Sequence, residues 1–245
     1  MRLPVPRFLA QRDRDATERM DDPDCDLDAL HRTYAQFQTI NRLVAGWQHT
    51  YRQHLRPVLC RDRINTLLDL GAGGADITRA VARWADRDGF PLHVTAADPD
   101  QRAYTWAMQQ HSTAKIEYCQ ELSSELVTQG RTFDLVISNH LLHHLTDEQL
   151  HALLHDCEQL ANTRVVHSDI RRSRTAYRLF SVGTRPFFPG SFIREDGLTS
   201  IRRSYTAAEL RKIAPEGWRV HTQRPWRNLL IYDPAVAAGP DPESL

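Results

Sequence analysis

The sequence predicts an α/β fold: a doubly wound, mostly parallel seven-stranded sheet preceded by a helical N-terminal cap. Three observations carry this. From Ile64 to Asp169, strand-like apolar runs alternate with helical patterns, as in parallel strands joined by crossover helices. The run Leu67-Leu68-Asp69-Leu70 leads directly into Gly71-Ala72-Gly73-Gly74-Ala75-Asp76 and then a helical pattern. That is a strand, a tight turn and a helix whose free N–H groups face a ligand. Finally, Phe133 to Ser138 is apolar almost throughout, as strands are when helices cover both sheet faces.

The totals agree with one globular unit. The chain has 245 residues, 41% hydrophobic and 25% charged, enough for one large domain or two small ones. A formal net charge of zero argues against a nucleic-acid binder driven by counterion release. Cys25, Cys60, Cys119 and Cys157 are far apart with no C-x-x-C spacing. They predict reduced thiols in a cytoplasmic protein, not a disulfide frame or a zinc site. No apolar run approaches the ~20 residues of a bilayer span. The charged stretch from Met1 to Met20 has no apolar core, so it does not read as a secretory signal.

In chain order, residues 1–25 are polar, charged and proline-bearing, which predicts a flexible tail, partly disordered or laid over the surface. Residues 26–57 form the cap. Leu27, Leu30, Tyr34, Phe37, Ile40, Val44, Trp47, Tyr51 and Leu55 recur at steps of three and four, one apolar stripe on a long helix or a helix pair. Gly46 is a candidate break and Pro57 ends the region. Residues 58–233 form the main domain. Strand Ile64–Leu70 is followed by a helix over 76–87, and strand Leu92–Ala97 ends in Asp98-Pro99-Asp100. The next helix runs from Pro99 to about His111, since proline suits a first turn. A short strand covers Lys115–Cys119 and another covers Phe133–Ser138. Thr146 caps a helix to Leu160, with Asp147 and Glu148 in its first turn. Strand Arg164–Asp169 follows. Residues 171–204 read as the least regular part, an insertion. Thr206 and Glu209 form a capping box. Trp218–Gln223 and Trp226–Tyr232 are the last two strands, and 234–245 is a mobile tail.

The glycine turn suits two ligand classes. A dinucleotide pyrophosphate wants G-x-G-x-x-G, but Asp76 stands at the third glycine and would repel it. Asp69, just before the turn, can instead pair with an ammonium group. Asp98 ends the second strand, where a carboxylate can accept both ribose hydroxyls, the role the upstream glycine turn favours; the alternative is a turn-forming residue before Pro99. The gap from Gly71 to Asp98 exceeds the ~20 residues usual in dinucleotide folds.

The pattern D-x-G-x-G-G over Asp69–Gly74 resembles the first motif of class I S-adenosylmethionine (SAM)-dependent methyltransferases. The stretch Phe133-Asp134-Leu135-Val136-Ile137-Ser138-Asn139-His140-Leu141-Leu142-His143-His144-Leu145 resembles their fourth motif, in the quinone-biosynthesis and natural-product branches above all. With Asp98 between them, the motifs keep the family's order. The resemblance implies a Rossmann-like sheet with an antiparallel edge pair. It implies SAM as cofactor, held by Asp69, Gly71, Ala72, Gly73, Asp98, Pro99, Asn139 and His140. After the third strand the family places an acidic or polar pair on adenine; here the usual aspartate is missing and Glu121, Leu122 and Ser123 are the candidates. The helical segment before the domain often closes over substrate, which makes Tyr34, Phe37 and Asn41 candidate contacts.

Methyl transfer from a sulfonium is an in-line displacement that needs donor and acceptor held in contact. A hydroxyl acceptor benefits from a base, and histidine has a suitable pKa. His140 is the leading candidate, His143 and His144 the next; each can also be a structural loop or cap histidine. His167 and Asp169 share a strand face and can touch the acceptor or orient a base, although Asp169 can also pair with Arg171 or Arg172. The phenylalanines of 171–204 can line an apolar pocket, and its arginines, Arg172 among them, can meet an anionic group or an acidic carrier surface. A solvated basic face is the plainer alternative. No histidine spacing is diagnostic of a metal, so none is expected. The reading is O-methylation of a small, largely apolar acceptor of aromatic, quinol or polyketide type, with C-methylation of an electron-rich ring and a non-catalytic SAM binder as alternatives. The expected partners are that acceptor, no nucleic acid, no membrane span, and a homodimer or carrier-protein contact.

Overall fold

The structure, a computed structural model, describes residues 9–110, 115–185 and 187–237. The outer parts of both predicted tails, 1–8 and 238–245, lie outside the described residues, as does His111, where a predicted helix was to end.

Asp26 opens the first helix, α1 (Leu27–Val44), by accepting the N–H groups of Asp28 and Ala29 at 2.8 and 3.1 Å. This satisfies donors that a helix start leaves free. Gly46 then turns the chain at φ 67°, and α2 (Trp47–Thr50) continues as a π turn over Tyr51–Leu55. The single apolar stripe of the sequence therefore serves two places. Leu30 and Tyr34 pack with Ala103 and Phe192, whereas Trp47, Tyr51 and Leu55 enter the main core beside Val81 and Leu135. Only the first half behaves as a cap.

The main domain follows as β1 (Asn65–Leu70), α3 (Asp76–Arg87), β2 (Leu92–Ala97), α4 (Gln101–Gln109), β3 (Ile116–Cys119), α5 (Ser123–Thr128), β4 (Phe133–Asn139), α6 (Asp147–Leu160), β5 (Ala161–Ile170), α7 (Arg174–Gly183), α8 (Ile193–Arg203), α9 (Ala207–Ile213), β6 (Arg219–Gln223), β7 (Arg227–Tyr232) and α10 (Pro234–Ala237). The sheet order is β3-β2-β1-β4-β5-β7-β6, with β7 antiparallel to β5 and β6. This is the seven-stranded, Rossmann-like arrangement. Strand alternation divides the core. Leu68, Val136 and Val165 face Leu126, Leu150 and Leu154 on one side. Leu67, Leu135, Ile137 and Val166 face Val81 and Ala85 on the other. The chain runs out from β1 to β3 and returns at β4, so a crevice opens at the carboxyl ends of β1 and β4.

Two regions differ from the reading of the sequence. Residues 171–204 are not irregular: they carry α7 and α8. Ser173 caps α7 by accepting the Ala176 N–H at 3.3 Å. On α8, Gly197 gives room for the Phe180 ring, with which a Cβ there would collide. Residues 9–25 are not a loose tail either. The N–H groups of Arg19 and Met20 donate to the Asp196 carboxylate at 2.8 and 3.0 Å, and Glu18 is 5% exposed. Among the described residues no helix is long and apolar enough to cross a membrane.

Candidate active site

The crevice deepens into a cavity of about 790 Å³. One end is the glycine turn. Gly71 and Gly73 sit at φ 64° and 53°, values that cost little only without a Cβ. The N–H groups of Gly71 and Ala72 both donate to the Ala97 carbonyl, at 2.9 and 3.1 Å, which ties the turn to the end of β2. Asp98 ties it again: Oδ2 accepts the Gly73 N–H at 2.7 Å and Oδ1 accepts the Asp100 N–H at 3.0 Å. A Cβ on Gly73 would meet nothing within 4 Å. The turn thus presents bare backbone to open space, with a carboxylate beside it, a cradle that fits a nucleoside carrying an amino-acid arm. Ala75, His140 and Trp226 adopt left-handed φ of 55°, 61° and 46°. Such strain in non-glycine residues collects at functional sites; His140 and Trp226 are on the cavity wall and Ala75 ends the glycine turn.

The structure brings most of the predicted site to this wall. Gly71, Ala72, Gly73, Asp98 and Pro99 line the donor end, and Asn139, His140, His143 and His144 the side formed after β4. Tyr34, Phe37 and Asn41 line it from α1, and Asn41 donates from Nδ2 to Asp76 at 3.1 Å.

Seven predicted residues are placed elsewhere. Asp69 stands one layer back, turned toward α3: its Oδ2 accepts from Thr78 Oγ1 at 2.5 Å, its Oδ1 has no partner, and burial pushes its carboxyl up to about 7. Glu121 accepts from Gln129, Leu122 is exposed, and Ser123 donates to Asp156; none of the three reaches the cavity wall. His167 is buried on the interior strand β5, 2.7 Å from Ser138 Oγ and stacked on Trp218. Burial lowers its pKa to about 3, so it is a neutral packing residue. Arg172 donates to the carbonyls of Ser204 and Leu9 and pairs with Glu209, which makes it a pin for the chain, not an acceptor contact. Asp169 pairs with neither Arg171 nor Arg172: its Oδ1 meets His143 Nδ1 at 2.7 Å and its Oδ2 accepts the His143 N–H at 2.8 Å.

The three histidines differ sharply. Arg227 Nη1 donates to His140 Nε2 at 2.5 Å. Burial first, and Arg227 next, hold His140 well below the ordinary histidine range, so the ring is neutral. A lone pair facing a guanidinium is not free to take a proton from a hydroxyl, and His140 loses its place as leading base. His143 lies between Asp169 and Glu18, with Nε2 at 3.2 Å from Glu18 Oε1. Burial opposes its charge, yet Asp169 and then Glu18 push it up to about 9. His144 places Nδ1 at 3.1 Å from Asp21 Oδ2. The turn carrying both is clamped: Arg203 donates to the carbonyls of His143 and His144, each at 3.2 Å.

The sequence did not single out Glu18 or Arg227. Glu18 lies in an apparent tail, and nothing local marks it. Arg227 opens β7, in the antiparallel pair at one end of the sheet, and a strand-start arginine is ordinarily solvated, yet it is 1% exposed on the cavity wall. Its partners, Ser168, Asn139 and His140, are neutral; burial lowers its pKa to about 10, still a cation. Asn139 Oδ1 accepts from both Arg227 Nη2 and Trp47 Nε1, at 2.8 and 2.9 Å, which fixes its amide.

Residues 67–164, spanning the glycine turn, Asp98 and the histidine turn, match the model of a methyltransferase domain. The chain thus carries a SAM-dependent methyltransferase domain. Its cofactor is S-adenosylmethionine. Solved structures agree on the fold. A putative O-methyltransferase from Nostoc punctiforme superposes with a TM-score of 0.56 at 16% identity, covering 89% of this chain and 63% of that one. The plantazolicin methyltransferase BpumL, in complex with a monoazolic desmethyl analogue and SAH, gives 0.54 at 10% identity over 84% and 87% of the two chains. The citrinin polyketide synthase CMeT domain gives 0.51 at 12% identity over 70% and 47%. No curated protein sequence matches the methyltransferase significantly.

Proposed function

We propose that this methyltransferase methylates a hydroxyl of a small, largely apolar acceptor of aromatic, quinol or polyketide type. The observation that supports this is the make-up of one continuous cavity. Its donor end is backbone and carboxylate. Its far wall is Leu179, Phe180, Phe187, Phe188, Ile193 and Ile201, and Leu179 and Phe187 are exposed at the rim. Cavities of about 300–1,000 Å³ hold single drug-sized ligands; about 790 Å³ leaves room for an acceptor beside the donor.

SAM, when bound, supplies an electrophilic methyl on a sulfonium. The chain's own residues do the placing. Gly71–Gly73 and Asp98 hold the nucleoside end. Arg227, a buried cation with neutral partners, suits the donor's carboxylate. His140, fixed by Arg227, and Asn139, fixed by Arg227 and Trp47, orient the reacting groups without exchanging protons. The polar corner opposite, Glu18, His143 and His144, takes the acceptor hydroxyl, which gives up its proton to solvent at the rim as its oxygen bonds the methyl carbon and the carbon–sulfur bond breaks to leave SAH. The phenylalanine wall excludes water from the rest of the acceptor. Alignment of this kind contributes up to roughly 7–11 kcal/mol toward lowering a barrier.

The test is transfer from methyl-labelled SAM to a panel of alkylphenols, quinols and hydroxylated polyketide aromatics, with the labelled atom located by NMR. Label on oxygen is the expected outcome. Label on ring carbon would replace O- by C-methylation. No transfer to any acceptor by protein that binds SAM would overturn the reading.

A further inference from the structure

We propose that Glu18, His143 and His144 form a binding site for one first-row divalent cation, of the zinc or ferrous type, on the wall of the cavity. No single stretch of sequence encodes it. Glu18 comes from the segment before α1, and the histidines from the turn after β4.

The geometry is that of a ligand set. One ligand atom from each of the three residues lies within 4.8 Å of the others. His143 Nε2 and His144 Nε2 both converge on Glu18 Oε1, at 3.2 and 3.8 Å. Bonds of about 2.1 Å at tetrahedral angles put ligand atoms about 3.4 Å apart, between these two values. The longer separation is too great for a hydrogen bond, so hydrogen bonding within the cluster does not explain the aim of His144.

The surroundings say the same. Metal-bound histidines give their second nitrogen to a carboxylate, which fixes the ring and its tautomer. Both rings have that partner: Asp169 at His143 Nδ1, 2.7 Å, and Asp21 at His144 Nδ1, 3.1 Å. With each Nδ1 held by a carboxylate, each Nε2 is the nitrogen turned toward Glu18. Three carboxylates, Glu18, Asp21 and Asp169, thus surround two imidazoles. Arg203 lies 3.5 Å from Asp21, and a bound dication would take the place of the charge that Asp169 and Glu18 favour on His143. The frame is stiff, since Arg203 clamps the histidine turn and Ser200 Oγ donates to Glu18 Oε1 at 2.8 Å.

Two imidazoles and one carboxylate suit zinc or ferrous iron over magnesium or calcium. Three protein ligands leave a position open, as catalytic metal sites do, and all three residues line the cavity. The open position is where an acceptor oxygen would bind. That last point rests on the proposed O-methylation; the metal site itself does not.

The test uses the full-length protein, stripped with chelator and titrated with Co²⁺ as a spectroscopic probe, then with Zn²⁺ in competition. One equivalent is expected, with the visible bands of a low-coordinate ion, displaced by Zn²⁺. Glu18→Gln and His144→Gln should each weaken binding at least tenfold, and Asp21→Asn about tenfold. SAM binding should survive in all three. His144 is a quarter exposed, so His144→Gln keeps the test open if Glu18→Gln does not fold. The surface variant His155→Ala should bind like the parent. Absence of stoichiometric binding, or binding lost with His155 and kept without Glu18 or His144, would overturn the site. Neither result would bear on methyl transfer, which labelled SAM tests separately.

Discussion

The donor end and the acceptor end of the cavity are built by opposite means. At the donor end, Gly71, Gly73 and Asp98 lie at the ends of two adjacent strands, and short backbone hydrogen bonds fix them to one another. At the acceptor end, Glu18, His143, Phe180 and Gly197 come from four separate parts of the chain. Long-range packing and side-chain hydrogen bonds, such as Ser200 to Glu18 and Arg203 to the His143 carbonyl, hold them together. The first end depends on local conformation and tolerates little change. The second is a set of side chains on a scaffold, free to differ in size and polarity.

If that contrast is right, substitutions at the two ends should separate cleanly. The largest effect is expected for Asp98→Ala, which removes the carboxylate that anchors the Gly73 N–H and that, on the proposed reading, holds the ribose. Calorimetry should show SAM and SAH binding weakened at least ~100-fold, since a charge-assisted hydrogen bond contributes roughly 1.5–3 kcal/mol and the carboxylate would make two to the ribose. The acceptor wall should keep its shape. Gly73→Ala adds a methyl where nothing lies within 4 Å, but at φ 53°. Strain there costs on the order of 1 kcal/mol, and the methyl occupies ligand space. A loss of about tenfold in SAH affinity with a small change in Tm is expected; an unchanged affinity would show that the open space is not the ligand's.

At the other end, Gly197→Ala should push the Phe180 ring into the cavity. We expect KM for a bulky acceptor to rise about fivefold, roughly 1 kcal/mol, with SAH affinity unchanged. A matching loss of SAH affinity would mean that the two ends are coupled, and would break the comparison.

The smallest effect is a pH dependence. Burial raises Asp69 to about 7, while an unfolded chain ionises it near pH 4. Its contribution to stability is therefore present in acid and is lost as pH rises from about 4 through 7. Asp69→Asn keeps the shape and should flatten that part of the Tm profile. The ionised form favours a sulfonium nearby, so SAM, unlike neutral-sulfur SAH, should bind more tightly as pH rises through 7, and the Asn variant should lose this difference.

What was legible in the sequence follows the same division. Turn chemistry and alternation are local, so the glycine turn, Asp98, the β4 run and the wall residues Tyr34, Phe37 and Asn41 could all be read directly. Glu18 could not: its burial depends on Ser200 and His143, both more than a hundred residues away. His140 was read as a base because its position after β4 is visible, whereas the Arg227 guanidinium that occupies its Nε2 is not. Arg172 looked like a ligand residue among many arginines, and became a structural pin only once Ser204, Leu9 and Glu209 were folded around it. Helices α7 and α8 were missed because their apolar faces pack on the cavity and on each other.

The most direct test of the account is a crystal structure with SAH. The ligand should lie over Gly73, with its ribose on Asp98 and its sulfur toward Asn139 and His140, leaving the corner of Glu18, His143 and His144 open to an acceptor. SAH bound away from the glycine turn, or filling the phenylalanine wall instead, would contradict it.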